Sequence, residues 1–127
     1  MSVVDDNKEL VRRLVRIVNE RRLEAIDEVA SGQIAEAAAR WVGPFAASFP
    51  DFHMEVVEII AEPDKVVGYF KCTGTQQGEW RGRPPTGRRF NDIDEIYIFR
   101  VRDGRLDSAI AVVEDDLTRM RQLGVEL

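Results

Sequence analysis

The sequence predicts an α+β protein: three N-terminal helices, then a cone-shaped, curved antiparallel sheet packed against them. Three observations carry this. Up to Pro50 the apolar residues recur at helical spacing; beyond Phe52 the period shortens towards two; and the segments with that shorter period are joined by turns rather than by helical crossovers. With 127 residues, the chain is expected to form one domain over 1–127, large enough to bury a core without cross-links.

The first helix follows from the stripe Leu10, Val11, Leu14, Val15, Ile17 and Val18. Asp5 or Asp6 is the expected cap, with acidic charge favoured at that end of the helix dipole. Arg21-Arg22 closes the helix, and a short second helix is expected from Leu23 to Ala30. After the Ser31-Gly32 break, Ile34, Ala37, Ala38, Trp41, Val42, Phe45 and Phe49 keep one helical face. Gly43-Pro44 falls inside that run, so a kink or two abutting helices is expected there.

Strands are expected over about 52–61, 65–76, 89–101 and 105–113, with Glu62-Pro63-Asp64 and Asp103-Gly104 as tight turns. A short helix follows. On the third strand Tyr97 and Phe99 face one way and Ile96 and Ile98 the other. A sheet with one wet face alternates more cleanly than that, so a homodimer through the outer face is expected, with Ile96, Ile98 or Val112 at or near the contact.

Composition narrows the function classes. The apolar fraction is 44%, the charged fraction 32%, and the net charge of −5 is spread as mixed signs. No face advertises itself for nucleic acid or for an acidic membrane. The one dense basic cluster, Arg81, Arg83, Arg88 and Arg89, lies in a Pro/Gly-rich connection and reads as solvated loop charge. Cys72 is the only cysteine and sits within a strand, which suits a buried thiol better than a nucleophile. His53 is the only histidine, so no zinc or iron site of ordinary ligand number is expected, and no cofactor. With no apolar run of spanning length, a cytoplasmic location is expected.

The connection from Gly74 to Phe90 reads Gly-Thr-Gln-Gln-Gly-Glu-Trp-Arg-Gly-Arg-Pro-Pro-Thr-Gly-Arg-Arg-Phe. It resembles the GTHxGxxxGxPPTGRRV signature of the SnoaL-like polyketide cyclases, a branch of the NTF2-like cone fold. Phe49-Pro50-Asp51 and the segment from Asp115 to Gly124 agree with the same family in the same order, so the resemblance covers about residues 8 to 124.

That resemblance implies a single acid/base aspartate near the end of the fourth strand. Counted back from Gln122-Leu123-Gly124 it is Asp115; counted forward from Asp103-Gly104 it is Glu114. The C-terminal anchor is nearer and matches better, which favours Asp115. An aspartate there also suits a plain helix cap. Glu95 and Tyr97, two apart on one strand face, stand where the family keeps a pocket glutamine and a pocket histidine. Tyr97 can donate a hydrogen bond to an enolate oxygen, and Glu95 can raise the pKa of a nearby carboxylate, or simply face solvent or pair with an arginine as strand glutamates commonly do. Gln76 replaces the histidine of the signature, Ile110 falls near a tryptophan of many relatives, and Trp80 and Phe90 flank the loop as apolar mass that could roof a pocket.

The expected function is therefore cofactor-free acid/base chemistry on an apolar or polycyclic carbonyl compound, an intramolecular aldol-type ring closure. Substrate contacts are expected from Glu95, Tyr97, Gln76 and Trp80. The alternatives are a hydroxylase-type relative of the same family, or a non-enzymatic ligand-binding or dimeric module.

Overall fold

The computed structural model describes residues 2–127. Helix α1 spans Val3–Asn19, a 3₁₀ segment Leu23–Glu28, and α2 Gly32–Ser48. Strands β1 (His53–Ala61), β2 (Lys65–Thr75), β3 (Arg89–Arg102) and β4 (Arg105–Glu114) follow, and then α3 (Asp116–Gln122). The cap of α1 is Ser2, whose Oγ accepts from the Asp5 backbone N–H at 3.1 Å; Asp5 and Asp6 lie in the first turn instead. Its inner stripe buries Leu10, Val11, Val15 and Val18. The buried Asn7 donates to the carbonyls of Glu62 (2.8 Å) and Pro63 (3.1 Å), tying α1 to the β1–β2 turn.

Two helix expectations change in form. The second helix is a 3₁₀ segment of six residues, ending where Val29 and Ala30 are fully buried and Ala30 bridges to Leu106. Helix α2 runs through Pro44 as one element of 17 residues. Pro44 supplies no N–H to the Arg40 carbonyl, but Arg40, Gly43 and Pro44 are all exposed, so water can satisfy that oxygen.

The sheet has the order β1-β2-β3-β4, antiparallel throughout. Register shifts fall between Val56 and Glu58, between Cys72 and Gly74, and twice along the β3–β4 pair. Such bulges bend strands, and here the sheet curves around the helices without closing. Val66, Phe70, Cys72, Ile93, Glu95 and Phe99 are buried on its inner face.

On the outer face, Ile60, Val67, Ile98 and Ala111 lie directly opposite one another across all four strands. Ile96 stands opposite Val113, whereas Val112 stands opposite Tyr97 and so belongs to the inner face. The outward β4 neighbour of Ile96 is therefore Val113.

The β2–β3 connection is pinned to α2 where it leaves β2. The backbone N–H groups of Gln77 and Gly78 both donate to the Ser48 carbonyl at the end of α2 (2.9 and 3.1 Å). A Cβ on Gly78 would run into the Ala47 carbonyl, so this contact requires glycine.

Candidate functional site

Where α1 and α2 cross the concave face of the sheet they leave a cavity of about 330 Å³. Leu14 and Val18 come from α1, Ile34 and Trp41 from α2, and Phe70 and Phe99 from the sheet. These are the helix stripes of the sequence seen from inside, and an apolar wall is what such stripes create when they do not quite meet the sheet. Among the lining residues Arg40, Trp41 and Tyr97 carry polar side-chain atoms.

The Tyr97 ring is held between Phe99, stacked at 5.5 Å, and Phe70, edge-on at 5.8 Å. Its hydroxyl donates to Glu95 Oε1 at 3.1 Å. Glu95 is only 3% exposed, lies behind Tyr97, and does not itself line the cavity. Its other oxygen accepts from Arg119 Nη2 at 2.9 Å. Arg119, 2% exposed, also pairs through Nη1 with Asp116 at 2.9 Å and with Glu114 at 3.4 Å, and lies over the Phe90 ring at 5.0 Å. Its Nε–H finds no acceptor among the described residues. Asp116 in turn pairs with Arg81 of the β2–β3 connection at 2.7 Å.

The charges of this cluster decide its chemistry. Burial raises the Glu95 pKa above the ordinary carboxylate value; Glu114 adds to the rise, and the Cys72 thiol, Arg119 and Tyr97 oppose it. Burial works against the Arg119 charge, but Glu114, Glu95 and Asp116 outweigh it and hold the guanidinium above its ordinary value. The Tyr97 phenol is pushed up by burial first and then by the Glu95 charge, so it is a neutral donor at any ordinary pH. Burial, with Glu95 beside it, likewise pushes the Cys72 thiol up, so it is no nucleophile. The cluster thus places one phenolic oxygen at an apolar cavity, its proton bonded to a buried carboxylate.

A sequence profile of the SnoaL-like polyketide cyclases matches residues 8–123. The chain belongs to that family. Solved structures agree with it. TsrD from Streptomyces laurentii superposes with a TM-score of 0.84 at 24% identity, covering 96% of this chain and 97% of its own. IdmH, a candidate polyketide cyclase from Streptomyces antibioticus, gives 0.79 at 27% identity with 94% and 99% covered. AclR, a candidate hydroxylase from Streptomyces galilaeus, gives 0.80 at 25% identity with 95% and 97% covered. No curated protein sequence matches the chain.

Within this SnoaL-like frame the expected site residues fall into three places. Glu95, Tyr97 and Glu114 converge around Arg119. Asp115 stands apart on the surface as the cap of α3, accepting from the Thr118 N–H at 3.1 Å and the Thr118 hydroxyl at 2.6 Å. Those two bonds hold its pKa below the ordinary value. Gln76 and Trp80 belong to the β2–β3 connection and do not line the cavity. Gln76 is buried, donating to the Pro84 carbonyl at 3.1 Å and accepting from the Thr86 hydroxyl at 2.9 Å, so it shapes the connection from within. Trp80 packs edge-on against Phe49 at 5.6 Å.

Sequence reasoning missed Arg119 and Arg40. The signal for Arg119 was Glu95 itself: a carboxylate between Ile93 and Tyr97 on the inner face of β3 requires a buried cation. Nothing in the sequence distinguishes Arg40 from any other helix arginine.

Proposed function

We propose that this chain is a cofactor-independent acid/base enzyme that closes a ring in a small apolar carbonyl compound held in the cavity. The observation that carries the reading is the hydrogen bond from Tyr97, the only polar group on the cavity's sheet wall, to the buried Glu95. In this mechanism the Tyr97 oxygen takes the proton alpha to a carbonyl as its own proton passes to Glu95. The resulting enolate attacks a second carbonyl of the same molecule, forming the carbon–carbon bond. The new alkoxide takes a proton back from Tyr97, and Glu95 returns the proton it held. Atoms and charge balance without a further reactant. Arg119 holds Glu95 in the orientation that faces Tyr97, so Arg119 is a positioning residue.

Asp115 is the competing base, proposed on the family register alone. Exchange of ketone alpha-hydrogens separates the two, because it needs enolisation but not the full reaction. With 1-tetralone in deuterated water as probe, Tyr97→Phe and Glu95→Gln should each slow protein-catalysed exchange by about two to four orders of magnitude. Asp115→Asn should leave it within a few-fold. The opposite pattern would transfer the role to Asp115. If the parent protein gives no exchange, a ligand carrier is the better account, a reading favoured by the apolar character of the walls.

The outer apolar row of the sheet supports a second part of the proposal, a homodimer formed face to face. Ile60 and Val113 are 60% and 63% exposed there, and burial against a second copy would remove that surface from water.

A further inference from the structure

We infer that the cavity takes a flat, mostly hydrocarbon molecule with an acidic group at its outer end, held there by Arg40. The inference rests on reading the cavity as the ligand site, and adds to it the charge and shape of what enters. Arg40 differs from the arginines of α1 and of the segment that follows it. On α1 and just beyond it, Arg12 and Arg16 pair with Glu9, Arg13 with Glu28 and Arg22 with Glu20. Arg21 is spent on the carbonyls of Val18, Asn19, Pro50 and Phe52. Arg40 is the one arginine of α2, and among the described residues its guanidinium makes neither an ion pair nor a hydrogen bond. Glu36, one turn earlier and favourably placed for a pair, is not within ion-pair distance.

Arg40 is also the one cation on the cavity lining, and it is exposed, so it marks the mouth rather than the interior. A guanidinium at the rim of an apolar cavity acts across a boundary of low dielectric. An anion placed there keeps its water on one side and gains a charge-assisted hydrogen bond on the other. Next to it, Trp41 is 44% exposed and stacks on Phe45 at 4.8 Å with an interplanar angle of 10°. The mouth therefore offers an aromatic edge beside the cation.

Two polar functions of the site lie on different elements, Tyr97 on the sheet and Arg40 on the helix. A ligand using both has a carbonyl or phenol at one end, an acid at the other and hydrocarbon between. The volume of about 330 Å³ is at the small end for small-molecule sites, which suits two or three fused rings.

Two fluorescent probes with the same skeleton test this: 8-anilinonaphthalene-1-sulfonate, which carries an acid, and the neutral N-phenyl-1-naphthylamine. Titrated into the intact protein at low salt, the sulfonate should bind about tenfold more tightly than the neutral probe. Arg40→Met keeps the apolar stem and should bring the sulfonate down to the level of the neutral probe without changing the latter. Arg40→Lys should restore part of the difference. Ala38→Trp fills the cavity from α2 and should abolish both; should it fail to fold, Ala37→Phe serves the same purpose. If both probes bind equally and Arg40→Met changes neither, the acidic ligand is wrong while the cavity stands as the site. If neither probe binds, or both bind undiminished to the filled variant, the cavity is not the ligand site and the inference falls with it.

Discussion

Replacing Arg119 with methionine isolates the energetic role of the cluster behind Tyr97. The substitution keeps an unbranched side chain of similar reach over Phe90 but removes the cation that, among the described residues, pairs with Glu95, at 2.9 Å, and Glu114, at 3.4 Å. Glu95 is 3% exposed and cannot recover the lost interaction from water. Removing one partner of such a buried pair costs about 3–5 kcal/mol, a large share of the roughly 5–15 kcal/mol that holds a domain folded.

The cost should depend on pH, and its sign follows from Glu95. Its folded pKa is already raised, and losing Arg119 removes one of the influences that hold it down. The folded variant then keeps a proton that the unfolded chain, titrating near about 4.3, has released. Relative to the parent, the variant should lose stability as pH rises from the parent's raised folded value through the variant's still higher one. The penalty should be smaller on the acid side, where the folded parent and the folded variant both hold the Glu95 proton. Urea unfolding of parent and variant at pH 5 and pH 8, followed by tryptophan fluorescence, measures it. Adding Glu95→Gln to Arg119→Met should recover more than half of the loss at pH 8. A loss below about 1 kcal/mol at pH 8, or the same loss at both pH values, would refute the argument.

Other consequences are measurable on the purified chain. Ile98→Lys places a charge in the outer apolar row and should convert a dimer to a monomer in sedimentation equilibrium; a parent that is already monomeric at micromolar concentration would end the dimer proposal. Gln76→Glu turns a donor to the Pro84 carbonyl into a carboxylate facing it, and should cost at least about 1–3 kcal/mol with faster hydrogen exchange over residues 78–88. Cys72 is 4% exposed, with its thiol pushed up by burial. Native protein should resist alkylation by iodoacetamide at pH 8, with modification appearing only as urea unfolds it.

The element boundaries were legible because periodicity is written locally. β1 to β4 fall within a few residues of the expected strands, and the short turns gave their order. Ile96, Ile98 and Val112 show what needed one further step. The Asp103-Gly104 turn sets Arg102 opposite Arg105, so even residues of β3 lie opposite odd ones of β4 near the turn. Two single-residue shifts later the same relation returns, which puts Val113 outward and Val112 inward. Arg119 was hidden for another reason. On a seven-residue helix an arginine between Leu117 and Met120 resembles a solvent-facing charge, yet α3 buries Arg119 and leaves Leu117 47% exposed. The rotation of α3 meets the need of Glu95 for a cation, a long-range demand that local pattern does not express. The cavity has the same origin: Leu14, Ile34 and Phe99 each read as core, and only the angle at which the helices cross the sheet leaves space between them.

The position of Arg119 in the order of synthesis has a consequence of its own. A ribosome builds the chain from its N-terminus at about 5–20 residues per second, so all four strands are made before Arg119. Through that interval Glu95 has no guanidinium to meet, and a sheet that closed early would have to trap it protonated or leave it wet. Docking of α3 is then the event that brings Glu95 its cation as well as completing the fold. Docking of the last helix and burial of the ion pair become a single step.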